Sequence, residues 1–414
     1  MPDFIFRLPP LERLTLSQRI AYSEKEKSLL VTGGPGSGKT VVSIYRFIRG
    51  LNDEENIMFY TYHRTLIASI KGTFRQQADI LMPQVSESSI ESLLERTVGS
   101  FSEWYYKKFG QGLPNQTDVE VSRNLQLLAA KMAELYDEVL VDEAQDLKPV
   151  ILDGVINLTN KITCGADRAQ DLQGHYIEPA DDYILEILEN HNKDVLPQGL
   201  TRNFRNTRQI FEFARRFVEE DLTVQSIDLT GLENGDKPEV YKLTEEEQYE
   251  LIETIIADNP NSNIGILVHT GPQVNLIKDF LETKDYSCAE NAPDDKSFSY
   301  YHFKMPLADR EVMENKLRTP FILTFESCKG LEFDIVIMPF FEKSDWAMVT
   351  SKKKQSGEFD TMANGDPKFY ATDNHYYVAA TRARRLLYVF YTQKPKVMKF
   401  YNENDQKPDS KPAF

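Results

Sequence analysis

Residues 28–42 read SLLVTGGPGSGKTVV: an apolar run, closely spaced glycines, a lysine and a threonine, then apolar residues again. The spacing Gly33-x-x-x-x-Gly38-Lys39-Thr40 matches the P-loop pattern. KSLLVTG before it has the character of a strand, and VVSIYRFIRG after it that of a helix. Such a chain must run a buried strand through a tight turn into a helix N-terminus. Across Gly33, Gly34, Pro35, Gly36, Ser37 and Gly38 the backbone N–H groups can converge on phosphate oxygens, and the helix end adds partial positive charge. Lys39 is then expected to bridge the β- and γ-phosphates of ATP, and the Thr40 hydroxyl to ligate Mg2+. A chance match is the alternative, and the flanking strand and helix argue against it.

Strand-like runs recur along the chain, each followed by helix-like sequence. KSLLVTGG, NIMFYTY, YDEVLVDE and KITCGAD form one set; PEVYKL, NIGILVH, PFILTF, DIVIMPF and RLLYVFYT form another. Short, nearly continuous apolar strands alternating with helices indicate parallel sheets covered on both faces. At 414 residues the chain suits two or three domains. The two sets divide it into an N-terminal lobe over 1–195 and a C-terminal lobe over 196–400, with 401–414 expected as a disordered tail. The stretch from Ser86 to Ala133 lacks strand signals, so a small helical insertion is expected at about 70–133. LTEEEQYELIETIIAD reads as a long acidic helix.

Hydrophobic content of 41% and charged content of 27% fit a globular protein. Three scattered cysteines, Cys164, Cys288 and Cys328, suggest neither a disulfide framework nor a metal cluster. Prolines and charges interrupt the start, MPDFIFRLPPLERL, so no signal peptide is expected, and no apolar run is long enough for a membrane span. The expected location is the cytoplasm. A net charge of −16 opposes broad coating of DNA unless basic residues gather in one groove.

EVLVDEAQD supplies the second half of a nucleotide site. Val139, Leu140 and Val141 make a buried strand, and Asp142 emerges at its C-terminal end, where ligands bind in parallel sheets. Asp142 is positioned to hold Mg2+, and Glu143 to accept a proton from the attacking water. An acidic strand end facing solvent is the alternative for Asp142 taken alone.

DEAQ followed by Asp146 resembles the superfamily 1 helicases of the UvrD and Rep type, and further motifs follow in that family's order over residues 11 to about 392. LSQRIAYS resembles the Q motif, which would make Gln18 the reader of adenine. YTYHRTL resembles the segment that touches single-stranded DNA, implying contacts from Thr61, His63 and Arg64. GADRAQ resembles the third motif, with Asp167 matching and Gln170 sensing the γ-phosphate. LTRNFRNT resembles the fourth, with Phe204 stacking on adenine and Arg205 reaching the γ-phosphate. TFESCKGLEFDIVI resembles the fifth, where Gly330 matches and Glu332 would meet the ribose. YVAATRARRLLYV resembles the sixth, which would make Arg382 a second arginine finger. The resemblance implies two RecA-like P-loop lobes with parallel sheets, small helical insertions and ATP in the cleft between the lobes.

The sequence departs from the family in several places. Val41 stands where a basic residue often stacks on the second face of adenine, which implies looser base selectivity. Gln173 stands where an aromatic commonly stacks on a DNA base; His175 and Tyr176 are the nearby substitutes, with packing or solvent roles as their alternatives. Glu326 replaces a common histidine, and His63 a common asparagine. WYYKKF could stack bases through Trp104, while core packing is the alternative for Trp104, Tyr105 and Phe109. Lys352, Lys353 and Lys354 lie in a polar loop, either near nucleic acid or simply solvated.

Three functions remain at this stage. The first is an ATP-driven translocase or helicase on single-stranded DNA, using ATP and Mg2+. The second is an ATPase switch working with a partner, such as a nuclease in DNA repair or anti-phage defence. The third, a small-metabolite kinase, has no use for DEAQD or for the later arginines.

Overall fold

The computed structural model describes residues 3–83, 85–132, 135–170, 172, 175–176, 179–343 and 373–402. Gln173, Lys352–Lys354 and the tail beyond residue 402 lie outside the described residues. The chain divides into two compact units, Phe6–Phe204 and Met1–Ile5 with Arg205–Phe414.

Among its described residues the first unit holds six strands: β1 Ser28–Gly33, β2 Ile57–Thr61, β3 Val98–Ser100, β4 Tyr136–Asp142, β5 Thr159–Ala166 and β6 Val195–Leu200. They pair in the order β3-β2-β4-β5-β1-β6, every neighbouring pair parallel. Its helices are α1 Leu16–Ser23, α2 Lys39–Asn52, α3 Arg64–Leu81, α4 Glu87–Thr97, α5 Phe101–Phe109, α6 Asp118–Lys131, α7 Pro149–Ile156 and α8 Ala180–Asn190. Along β2 the side chains alternate between two cores. Ile57 and Phe59 join Phe47 and Phe74 of α2 and α3, whereas Met58 and Tyr60 join Trp104, Leu125 and Leu152. Both faces are therefore covered, as the continuous apolar runs required.

The second unit repeats the plan with β7 Glu239–Lys242, β8 Ile264–Val268, β9 Ser299–Tyr301, β10 Phe321–Thr324, β11 Phe333–Met338 and β12 Ala383–Tyr391. The order is β7-β12-β11-β8-β10-β9, again parallel throughout. Its helices are α9 Arg208–Ala214, α10 Leu222–Gln225, α11 Glu245–Asp258, α12 Gly271–Thr283, α13 Leu307–Asn315 and α14 Asp373–Ala380. The acidic stretch forms α11. Thr244 and Glu247 close a capping box there, and three glutamates occupy the positive first turn. Two parallel α/β lobes of the RecA-like kind are thus present.

One expectation needs correction: the segment 86–133 is not wholly helical. Val98–Ser100 forms the edge strand β3 beside Phe59–Thr61. Three residues are too few to produce a strand pattern in sequence. β6 also escaped notice because VLPQGL carries a proline and a glycine, which an edge strand tolerates. Its pairing with β1 makes it part of the first sheet.

Candidate nucleotide-binding site

β1 ends at Gly33 and α2 begins at Lys39, with Gly38 as its N-cap in the left-handed region at φ 91°. A side chain at Gly38 would strike the Gln18 amide nitrogen at 2.3 Å, and one at Gly33 would strike the Leu200 carbonyl at 2.5 Å. Only glycine satisfies both approaches. Lys39 Nζ folds back over the loop, donating to the carbonyls of Gly33 at 2.7 Å and Gly34 at 3.2 Å. Ser37 Oγ is buried without a hydrogen-bond partner.

The carboxylates stand at the C-terminal ends of β4 and β5. Thr40 Oγ1 donates to Asp142 Oδ2 at 2.6 Å. Two hard oxygen donors side by side suit a Mg2+ ion that keeps water and phosphate oxygens as its other ligands. Glu143 is buried and held in the left-handed region at φ 57°. Such backbone costs on the order of 1–3 kcal/mol in a non-glycine residue and collects at functional sites. Gln145 donates to Glu143 Oε2 at 2.6 Å and accepts from the Asp167 backbone N–H at 3.3 Å. Gln145 was not singled out from sequence, although it belongs to DEAQ; it ties the second motif to the third. Asp167 also accepts from Gln170 Nε2, and Lys39 Nζ lies 3.5 Å from its Oδ2. Lys39, Thr40, Asp142, Glu143, Asp167 and Gln170 are accordingly gathered in one lobe. Phosphate donors in the loop, an orphaned hydroxyl and a threonine–aspartate pair fit a nucleoside triphosphate with magnesium.

Gln18 and Phe204 flank this group. The Gln18 amide donates to Ser37 O at 2.9 Å and accepts from Thr15 N at 2.9 Å, closing the capping box of α1. Its amide therefore braces the phosphate loop. Phe204 is 49% exposed, and its N–H donates to Gly36 O at 2.9 Å, which fixes the ring beside the loop.

The arginines implied by the later motifs belong to the second lobe. Arg205 Nε lies 3.4 Å from Glu332 Oε2, and Arg384 donates to Glu332 Oε1 at 2.9 Å. Glu332 thus engages two guanidinium groups. Desolvation, followed by the repulsion of Arg382, lowers the Arg205 pKa to about 10. Arg382 is 1% exposed and directs Nε to Val378 O at 2.9 Å, with longer bonds to Leu331 O and Thr381 Oγ1. Arg384 went unnoticed among the several arginines of TRARR.

The candidate nucleic-acid residues fare differently. Trp104 is a core residue: it is 8% exposed, packs with Tyr60 and Phe101, and donates to Tyr136 Oη at 2.9 Å. Its expected stacking role therefore gives way to core packing, because α5 turns that side chain inward. Thr61 is fully buried at the end of β2. His63 is buried with its Nε2 at 2.8 Å from Asp146 Oδ2. Arg64 forms an ion pair with Glu103 at 2.6 Å. Tyr176 donates to Leu147 O at 2.8 Å and packs against the core. Two exposed aromatics, Tyr62 and Tyr106, were not singled out individually.

Residues 14–124 match the family model described as the UvrD/REP helicase N-terminal domain. No curated protein matches the chain. Among solved structures, the C-terminal domain of a "possible DNA helicase" from Lactobacillus plantarum WCFS1 is similar at 14% identity. That alignment covers 49% of this chain and 96% of the other, with a TM-score of 0.30. The PRRSV helicase is similar at 12% identity over 90% of this chain, with a TM-score of 0.38, and the match spans 54% of that protein's length. The family match bears out the resemblance to superfamily 1 helicases of the UvrD-like type.

Proposed function

We propose that this chain is an ATP-driven translocase of the superfamily 1 type, acting on single-stranded DNA and hydrolysing ATP to ADP and phosphate. The observation carrying this reading is the 2.6 Å Thr40–Asp142 contact beside a phosphate loop closed by Lys39, within a lobe whose first part matches a helicase domain. Bound with the nucleotide, Mg2+ would neutralise charge on the phosphate oxygens. Lys39 and the loop N–H groups would hold the phosphates, and Thr40 and Asp142 would hold the cation. Glu143 would take the proton of the attacking water, and Gln170 would orient at the γ-phosphate. Arg205 and Arg382 are assigned the arginine-finger roles, and Glu332 keeps Arg205 in place. Catalysis of this kind is mainly positioning and charge stabilisation.

A specific observation favours the second reading, an ATPase switch driven by a protein partner such as a nuclease. Of the four side chains expected to touch DNA, Thr61, His63 and Trp104 are buried. The net charge of −16 also weakens non-specific attraction to DNA. Both readings place the chain in the cytoplasm, in keeping with free Cys164, Cys288 and Cys328. No helix among the described residues is long and apolar enough to cross a membrane.

The two readings separate in a streptavidin-displacement assay on end-biotinylated single-stranded DNA. A translocase displaces streptavidin from at least one end in an ATP-dependent manner. Absence of displacement from both ends, with ATP turnover raised only by a co-purified partner, would favour the switch.

A further inference from the structure

Recognition of a nucleobase uses two kinds of contact. Hydrogen bonds to the base edge discriminate steeply, because a mismatched base leaves buried polar groups unpaired. Stacking is indifferent to base identity, because every base has a π-face. Beside the phosphate loop, the described residues of the first lobe offer little of the former and a well-made example of the latter.

The edge-reading side chain would be Gln18, but its amide is already engaged. Its nitrogen donates to Ser37 O and its oxygen accepts from Thr15 N, both at 2.9 Å, and the residue is only 4% exposed. Reorienting the amide toward a base would break the α1 capping box and the brace on the phosphate loop. Val41, in the first turn of α2, supplies no polar atom from its side chain.

The stacking group is Phe204, exposed and anchored to the phosphate loop through Gly36 O. The Arg202 guanidinium lies over this ring, 5.2 Å from its centroid. Arg202 is itself exposed. A planar cation against one face stiffens the ring and presents a second flat, weakly hydrated surface of its own.

We infer that Arg202 and Phe204 form a composite stacking platform that accepts nucleoside triphosphates irrespective of base, so that the site reads the triphosphate rather than adenine. This inference rests on the proposed nucleotide site and specifies its substrate class. Arg202 is a positioning residue of this platform: it supports stacking for every base and discriminates among none. The phosphate loop would supply the affinity shared by all four nucleotides.

The test is a steady-state comparison of ATP, GTP, CTP and UTP with the full chain, together with direct binding of fluorescent ATP and GTP analogues. The expected result is kcat/KM values within about fivefold of one another. Arg202→Ala should raise KM about three- to tenfold for all four nucleotides, with kcat held. Phe204→Ala should raise KM about tenfold or more for all four, and Phe204→Tyr should restore it. A preference for ATP of more than about 100-fold over the other three would overturn the inference while leaving the proposed function standing. Unchanged KM values in Arg202→Ala would remove Arg202 from the platform. Failure of the wild-type chain to bind either fluorescent analogue would overturn the nucleotide site itself.

Discussion

In the first lobe the cation of the site is matched by acid: Lys39 Nζ lies 3.5 Å from Asp167, and Thr40 is bonded to Asp142. In the second, Arg205 and Arg384 share the single carboxylate of Glu332, and Arg382 raises the positive charge around Arg205. The first cluster sets the three carboxylates of Asp142, Glu143 and Asp167 against the single cation of Lys39, an excess of anion that suits a divalent cation, whereas the second has more cation than anion. An excess of partly desolvated guanidinium is stabilised by an incoming polyanion, more so as charge develops on it. Under the proposed function, the first lobe would hold the ground state and the second would respond to developing charge.

The sharpest way to break that contrast is Arg205→Ala. Turnover should fall by on the order of 10³-fold with nucleotide affinity changed far less, measured by steady-state kinetics and nucleotide titration. Arg382 is a poorer probe, since its guanidinium is buried on carbonyls of its own lobe and its removal threatens folding. Arg46→Ala tests the first lobe's framework instead. Arg46 and Glu138 form a fully buried pair at 2.6 Å, and Thr163 also donates to Glu138. Losing that partner leaves the buried carboxylate only Thr163 and the more distant Arg49, at 3.9 Å, and should cost about 3 kcal/mol in chemical denaturation. Glu143→Gln should keep nucleotide binding and lower turnover by roughly 10²-fold or more. Near wild-type turnover would exclude Glu143 as the base.

At neutral pH the smallest effect belongs to His269 of the second lobe, whose ring is 1% exposed among Phe325, Phe341 and Tyr376. Burial, then the charge of His375, lowers its pKa from 6.5 to about 3. The unfolded chain therefore takes up a proton first as pH falls below 6.5, and the folded chain only near 3. Through that window His269 should lower stability by about 1.4 kcal/mol per pH unit, with no effect above it. Denaturation profiles of His269→Leu should be flatter there than those of wild type.

Legibility in the sequence followed the same physics. Central strands such as NIGILVH and DIVIMPF are buried on both faces and announced themselves as apolar runs. β3, β6 and β9 lie at sheet edges, where shorter or less apolar segments suffice, and they went unread. Phosphate-binding residues were legible because loop geometry fixes their spacing. Exposure was not: Trp104 and Tyr106 stand two positions apart in WYYKKF, yet the first is 8% exposed and the second 59%. The phase of α5 against the core decides between them, and that phase depends on the edge strand the sequence concealed. Glu332 and Arg205 were legible as motif residues, but their pairing, and that of Glu332 with Arg384, became visible only through folding.

Coupling of the proposed ATPase to single-stranded DNA can be read from ATP turnover measured against single-stranded DNA concentration at two salt concentrations. Many-fold stimulation is expected at saturating DNA, with the half-saturating DNA concentration rising steeply between about 50 and 200 mM salt as counterion release requires. Turnover that is unchanged by DNA at both salts would contradict it.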